Sequence, residues 1–108
     1  GRSQPGQDHE LQQNLLRFTD AGIPFRYYSA DITDAAATGK AVRAIEAEMG
    51  GVTAVLHGAG SNDPRRIEEI TAFDLQAALA PKVTGLRSLL NLLDPEKLRL
   101  LITFGSII

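Results

Sequence analysis

The stretch Val52-Thr53-Ala54-Val55-Leu56-His57-Gly58-Ala59-Gly60 decides the fold. It is a short apolar run with little alternation that ends in a Gly-x-Gly turn. Such a run predicts a strand buried on both faces, the usual setting of a strand in a parallel sheet. The glycines let the backbone turn sharply and leave room for close approach. In open α/β sheets, ligands bind just outside the carboxyl ends of the strands.

The chain repeats one alternation on either side of this run. Upstream, Gly50-Gly51 stops a helix predicted over 34–49, capped by Thr33 or Asp34, with Thr38, Ala41, Val42, Ile45 and Met49 as its apolar stripe. Before it, Phe25–Ala30 reads as a strand rich in β-formers (Phe25, Tyr27, Tyr28). Earlier still, Asp8 caps a helix over 9–21, with Leu11, Leu15 and Phe18 on one face and Gly22 at its stop. Downstream, Ser61–Arg66 is polar loop and Ile67–Ile70 a single helical turn. Thr71-x-x-Asp74 then resembles a capping box, with Asp in place of Glu or Gln. The helix it opens runs to about Leu93 with Leu75, Leu79, Val83, Leu86, Leu90 and Leu93 on one face, and Pro81 should kink or split it. Leu98–Phe104 is a further apolar strand. Long helical crossovers between strands require parallel pairing and right-handed connections. The expected fold class is therefore α/β: a Rossmann-like, three-layer α/β/α parallel sheet.

Composition narrows the function. The 108 residues carry a formal net charge of −2 and no basic stripe, which argues against nucleic-acid or anionic-membrane binding. Cysteine is absent, which excludes disulfides, thiolate metal sites and thiol nucleophiles. The two histidines, His9 and His57, have no metal-ligand spacing. No apolar run reaches membrane-spanning length and no signal-peptide pattern is present, so a cytoplasmic location is expected. The opening on Gly1-Arg2-Ser3 and the close on Ser106-Ile107-Ile108 suggest a segment of a larger chain.

Taken singly, the polar junctions are ordinary. Gly58-Ala59-Gly60 lacks the third glycine of the dinucleotide fingerprint, because Asp63 stands in its place. Asp31 and Ser106 read as turn or cap residues, and Arg2 and Lys82 as solvated charges. His57 has no companion groups for a nucleophile–base triad. Topology alters that reading, because the carboxyl ends of parallel strands share one edge and bring Arg2, Asp31, Gly58–Gly60 and Ser106 together.

In order, Gly1-Arg2-Ser3, Asp31-Ile32-Thr33-Asp34, Val55-Leu56-His57-Gly58-Ala59-Gly60, Pro81-Lys82-Val83-Thr84-Gly85-Leu86 and Phe104-Gly105-Ser106-Ile107 resemble the ketoreductase domains of modular type I polyketide synthases. Those domains belong to the short-chain dehydrogenase/reductase superfamily. The resemblance covers essentially the whole chain and implies a central segment of one NADP-binding domain, residues 1–108. The first βα unit with its Gly-rich loop lies upstream in that family, and the catalytic tyrosine downstream of Ser106.

The resemblance further implies NADPH-dependent reduction of a β-ketoacyl thioester, carried on an acyl carrier protein, to a β-hydroxyacyl chain within a larger synthase. Arg2 and Ser3 would meet the adenosine 2′-phosphate, Asp31 and Ile32 the adenine, and Gly58, Ala59 and Gly60 the ribose and nicotinamide side. Lys82 would be the catalytic lysine and Ser106 the group on the substrate carbonyl. The absence of a carboxylate at Arg2 fits the 2′-phosphate, since NAD-preferring sites place an acid there. Three other readings remain open. They are a non-catalytic structural subdomain of such a synthase, a fatty acid synthase ketoreductase, and a separate reductase of small molecules.

Overall fold

The computed structural model describes residues 1–60 and 64–105. The chain forms helices α1 (His9–Asp20) and α2 (Ala35–Met49), strand β1 (Ala54–His57), helices α3 (Ala72–Leu79) and α4 (Thr84–Leu92), and strand β2 (Leu100–Thr103). Single 3₁₀ turns occupy Pro5–Gln7 and Ile67–Glu69.

Side-chain caps set where α1, α2 and α3 start. Asp8 accepts from Leu11 N at 2.9 Å to open α1. Asp34 accepts from Ala36 N and Ala37 N, both at 3.0 Å, to open α2. At α3 the capping box is complete. Thr71 Oγ1 accepts from Asp74 N, and the Asp74 carboxylate accepts from Thr71 N at 2.9 Å, so the shorter Asp does the work of Glu. α1 ends in a Schellman motif: Gly22 has φ 67°, its N–H bonds Thr19 O, and the Ile23 N–H bonds Phe18 O.

β1 and β2 pair in parallel, with Ala54 opposite Leu100 and His57 opposite Thr103. The connection through α3 and α4 is the expected helical crossover. α2 and α4 pack together and cover one face of β1. Val42, Val55 and Leu93 form the core there, with Val52, Leu89 and Leu98 against it. A Cβ on Gly39 would stand 3.3 Å from Arg43 Nη1 of the same helix and at an ordinary 3.7 Å from Leu92 Cδ2 of α4.

Three sequence expectations are corrected. β1 is buried on one face only: Val55 and His57 are inside, while Leu56 is 66% exposed. The described helices cover only that face, and Leu100–Thr103 are exposed throughout.

Phe25–Ala30 is extended but forms no strand ladder. Its one backbone bond across to the N-terminal segment runs from Ala30 N to Gly1 O at 2.8 Å. Side chains make the other links, Tyr27 OH to Ser3 O at 2.6 Å and Ser29 Oγ to Arg2 O at 3.0 Å. Glu48 of α2 fastens the segment from the other side, accepting from Tyr28 OH and Arg26 Nε at 2.8 and 2.9 Å.

The helix splits at Pro81 as expected, but the apolar stripe over 75–93 does not stay on one buried face across the split. Pro81 lacks an N–H, and beyond it Gly85 N bonds Ala80 O, five residues back, at 2.8 Å. One residue has slipped into the ladder, as in a π-type turn. Leu75, Leu79 and Val83 are left exposed, whereas Gly85 and Leu93 are buried.

Candidate functional site

A cleft of about 460 Å³ opens at the carboxyl end of β1. Arg2, Asp31, Ile32, Gly58, Ala59 and Gly60 line it, six of the nine residues singled out from the sequence. Its volume lies in the range of small-molecule and cofactor sites. Ala77, Ala80 and Pro81 close the far wall. Sequence reasoning did not assign these three a place in the site. Their signal is the i, i+3 spacing of two alanines beside a helix-breaking proline, which keeps that wall low and turns the chain at the rim.

The loop after the extended segment is tightly built around Asp31. Its Oδ1 accepts from Thr33 N at 2.9 Å and from Thr33 Oγ1 at 2.7 Å. Its carbonyl accepts from Asp34 N at 3.0 Å and from the buried Thr38 Oγ1 at 3.2 Å. The Thr33 bonds, with Arg2 assisting, hold the Asp31 carboxyl below its ordinary pKa. Arg2 Nη1 stands 3.8 Å from Asp31 Oδ2, with the arginine side chain 75% exposed. The arginine therefore reaches the cleft on a lightly tethered, solvated arm.

Ser3 lies beside this cleft, in a shallower depression that it shares with Arg2, Gln7 and Asp8. Lys82 sits at the rim, in the turn between α3 and α4. Its Nζ pairs with no carboxylate among the described residues. Its stem lies over Gly60, where a Cβ would come within 3.0 Å of Lys82 Cε. Ser106 falls outside the described residues, as do Asn62 and Asp63. His57 is buried on the helix-covered face with no hydrogen-bond partner for Nε2 among the described residues. It does not line the cleft. Among the described residues no acidic or histidine cluster could hold a metal ion, and no helix is long and apolar enough to cross a membrane.

A parallel strand pair joined by a helical crossover, with a glycine-walled cleft at a strand's carboxyl end, defines a Rossmann-like unit. The whole chain, residues 1–108, matches the model of the KR domain family. The protein belongs to that family, the ketoreductase domains of polyketide synthases. It is similar to a polyunsaturated fatty acid synthase polypeptide of a Thraustochytrium species, 38% identical over 91% of this chain and 4% of that protein. Its backbone superposes on an N-terminal ketoreductase from the macrolactin assembly line (TM-score 0.86, 28% identity, 99% of this chain and 22% of that one). It also superposes on the ketoreductase from the first module of phoslactomycin biosynthesis in Streptomyces sp. HK803 (TM-score 0.74, 34% identity, 99% and 24%). The chain thus spans less than a quarter of the length of each of these three proteins.

Proposed function

We propose that the chain is the central segment of one ketoreductase domain in a cytoplasmic multidomain synthase. The domain reduces a β-ketoacyl thioester, presented by an acyl carrier protein, to the β-hydroxyacyl chain with NADPH. The observation that carries this reading is the convergence of Arg2, Asp31 and Gly58–Gly60 on one cleft with Lys82 at its rim.

The residues present fit a dinucleotide. Arg2 offers an exposed guanidinium for a phosphate oxygen, with Ser3 beside it to add a hydroxyl. Asp31, kept ionised by Thr33, is an acceptor for an exocyclic amine, and Ile32 an apolar surface for a base. Gly58, Ala59 and Gly60 present a low wall against which ribose and nicotinamide can lie.

When bound, the reduced nicotinamide supplies the hydride. Lys82 contributes a cation that favours the ionised form of a neighbouring tyrosine and so lowers its pKa as proton donor. Ser106 donates a hydrogen bond to the substrate carbonyl oxygen as negative charge develops on it.

In the full-length protein, Lys82→Ala and Ser106→Ala should each lower kcat for a β-ketoacyl thioester by on the order of 10²-fold, as loss of a positioned donor or proton-transfer partner does. Full rates in both variants would remove these roles. A parent protein that turns over no ketone and binds no NADPH would instead identify a scaffold.

A further inference from the structure

We propose that Gly60 is the positioning residue for Lys82. This rests on the reading of Lys82 as catalytic. It gives the bareness of Gly60 a second role, room for the lysine stem, beside the low wall it offers a bound nucleotide.

The two ends of the wall differ. A Cβ on Gly58 would meet only Phe104 Cδ2, at 3.7 Å, an ordinary contact. A Cβ on Gly60 would stand 3.0 Å from Lys82 Cε and 3.8 Å from Cγ. The missing side chain of Gly60 is therefore filled by the lysine stem.

Other restraints on Lys82 are few. It sits in a turn, it is exposed, and no carboxylate among the described residues fixes its ammonium. A lysine stem has four rotatable carbons and is costly to order. Seating it in the groove above a glycine narrows its conformations, with no carboxylate among the described residues to neutralise it. An added methyl at Gly60 meets a flexible side chain rather than backbone, so the lysine gives way before the fold does.

The test uses the full-length protein. Gly60→Ala is expected to lower kcat about tenfold or more, as a small misplacement of a catalytic group does. KM for NADPH should stay within about twofold, because a group acting only in the transition state leaves binding unchanged. The limb of the kcat–pH profile that reports the proton donor should move to higher pH, because a displaced cation lowers the donor's pKa less. In a Lys82→Ala background, Gly60→Ala should cost nothing more.

A raised KM at unchanged kcat, an unmoved pH profile, or additive losses in the double variant would each overturn the proposal. Should Gly60→Ala alone fail to fold, removal of the stem decides the matter. Folding restored by adding Lys82→Ala supports the contact, and failure in both backgrounds overturns it. A full rate in Lys82→Ala itself would sink the functional reading. Loss in Lys82→Ala beside a full rate in Gly60→Ala would sink only the positioning role.

Discussion

Gly85 of α4 is packed against Ile32 at the cleft so closely that a Cβ on Gly85 would stand 2.8 Å from Ile32 Cγ2 and 3.3 Å from the Ile32 carbonyl oxygen. Two effects oppose each other in Gly85→Ala. Alanine is the better helix former by up to about 1 kcal/mol in a helix interior, and by less here in the first turn. Overpacking a fitted contact costs about 1–3 kcal/mol. The obstacle includes backbone, so overpacking should win. Gly85→Ala should lower the denaturation midpoint at an unchanged m-value. By pushing Ile32 into the cleft, it should also weaken NADPH binding, read by fluorescence titration. A variant as stable as the parent with the same affinity would show that Ile32 yields without cost.

Arg2 and Asp31 are 3.8 Å apart on the cleft rim, and both are substantially exposed. Surface pairs of this kind add little stability. Arg2→Ala should therefore leave thermal stability unchanged. Its effect should fall on cofactor choice. Loss of a charge-assisted hydrogen bond worth about 1.5–3 kcal/mol predicts a Kd for NADPH raised about 10- to 100-fold. The Kd for NADH, which has no 2′-phosphate, should change little. Equal loss for both cofactors would count against the 2′-phosphate contact.

The sequence revealed local chemistry better than distant pairing. The caps at Asp8, Asp34 and Thr71–Asp74 were readable because each depends on groups within three residues of one another. The parallel partnership of β1 and β2 followed from the length of the crossover between them. Phe25–Ala30 misled because β-propensity reports the fit to a half-buried surface, whereas a strand needs a ladder, and this segment is held largely by side chains. The break at Pro81 was readable in the stripe over 75–93, while the one-residue slip that accompanies it was not. At the site, topology alone brought Arg2, Asp31 and Gly58–Gly60 to one edge. The seating of Lys82 over Gly60 depends on that slipped turn and on loop geometry, neither of which leaves a periodic trace.

The Asp31 carboxylate gives a pH prediction whose sign is fixed by its partners. Its pKa is lowered chiefly by the Thr33 side-chain bond, then by Thr33 N and by Arg2. A carboxyl with a depressed folded pKa contributes stability that is fully present above its unfolded value, about 3.9. That contribution is lost as pH falls through the lower folded value. Asp31 should therefore titrate below the ordinary aspartate range by carbon-detected NMR. Thr33→Val deletes the hydroxyl bond and should move the titration upward. An ordinary pKa in the parent would refute the loop geometry, and an unmoved one in Thr33→Val would show that the backbone bond and Arg2 suffice.

Pro81 offers a test of whether the slipped turn serves the site or merely interrupts a helix. Without an amide N–H, Pro81 cannot complete the ladder to Ala77, and the register recovers only after Gly85 N has bonded Ala80 O. Lys82 N and Val83 N both turn back to Leu79 O, at 3.1 and 2.8 Å. Pro81→Ala restores the donor and removes the ring clash, which together disfavour a helix interior by about 3 kcal/mol. The segment between α3 and α4 is then free to wind into regular helix, which swings Lys82 through part of a turn, away from Gly60. Stability should be unchanged or higher, and helical circular dichroism slightly greater. Ketone reduction should nonetheless fall about tenfold or more, since a displaced catalytic group loses its approach geometry. Stability up and kcat down would show that the proline maintains a local arrangement that favours function over helix. A variant that keeps both its rate and its circular dichroism would mean that packing of α4 against Ile32 and α2, rather than Pro81, holds the turn in place.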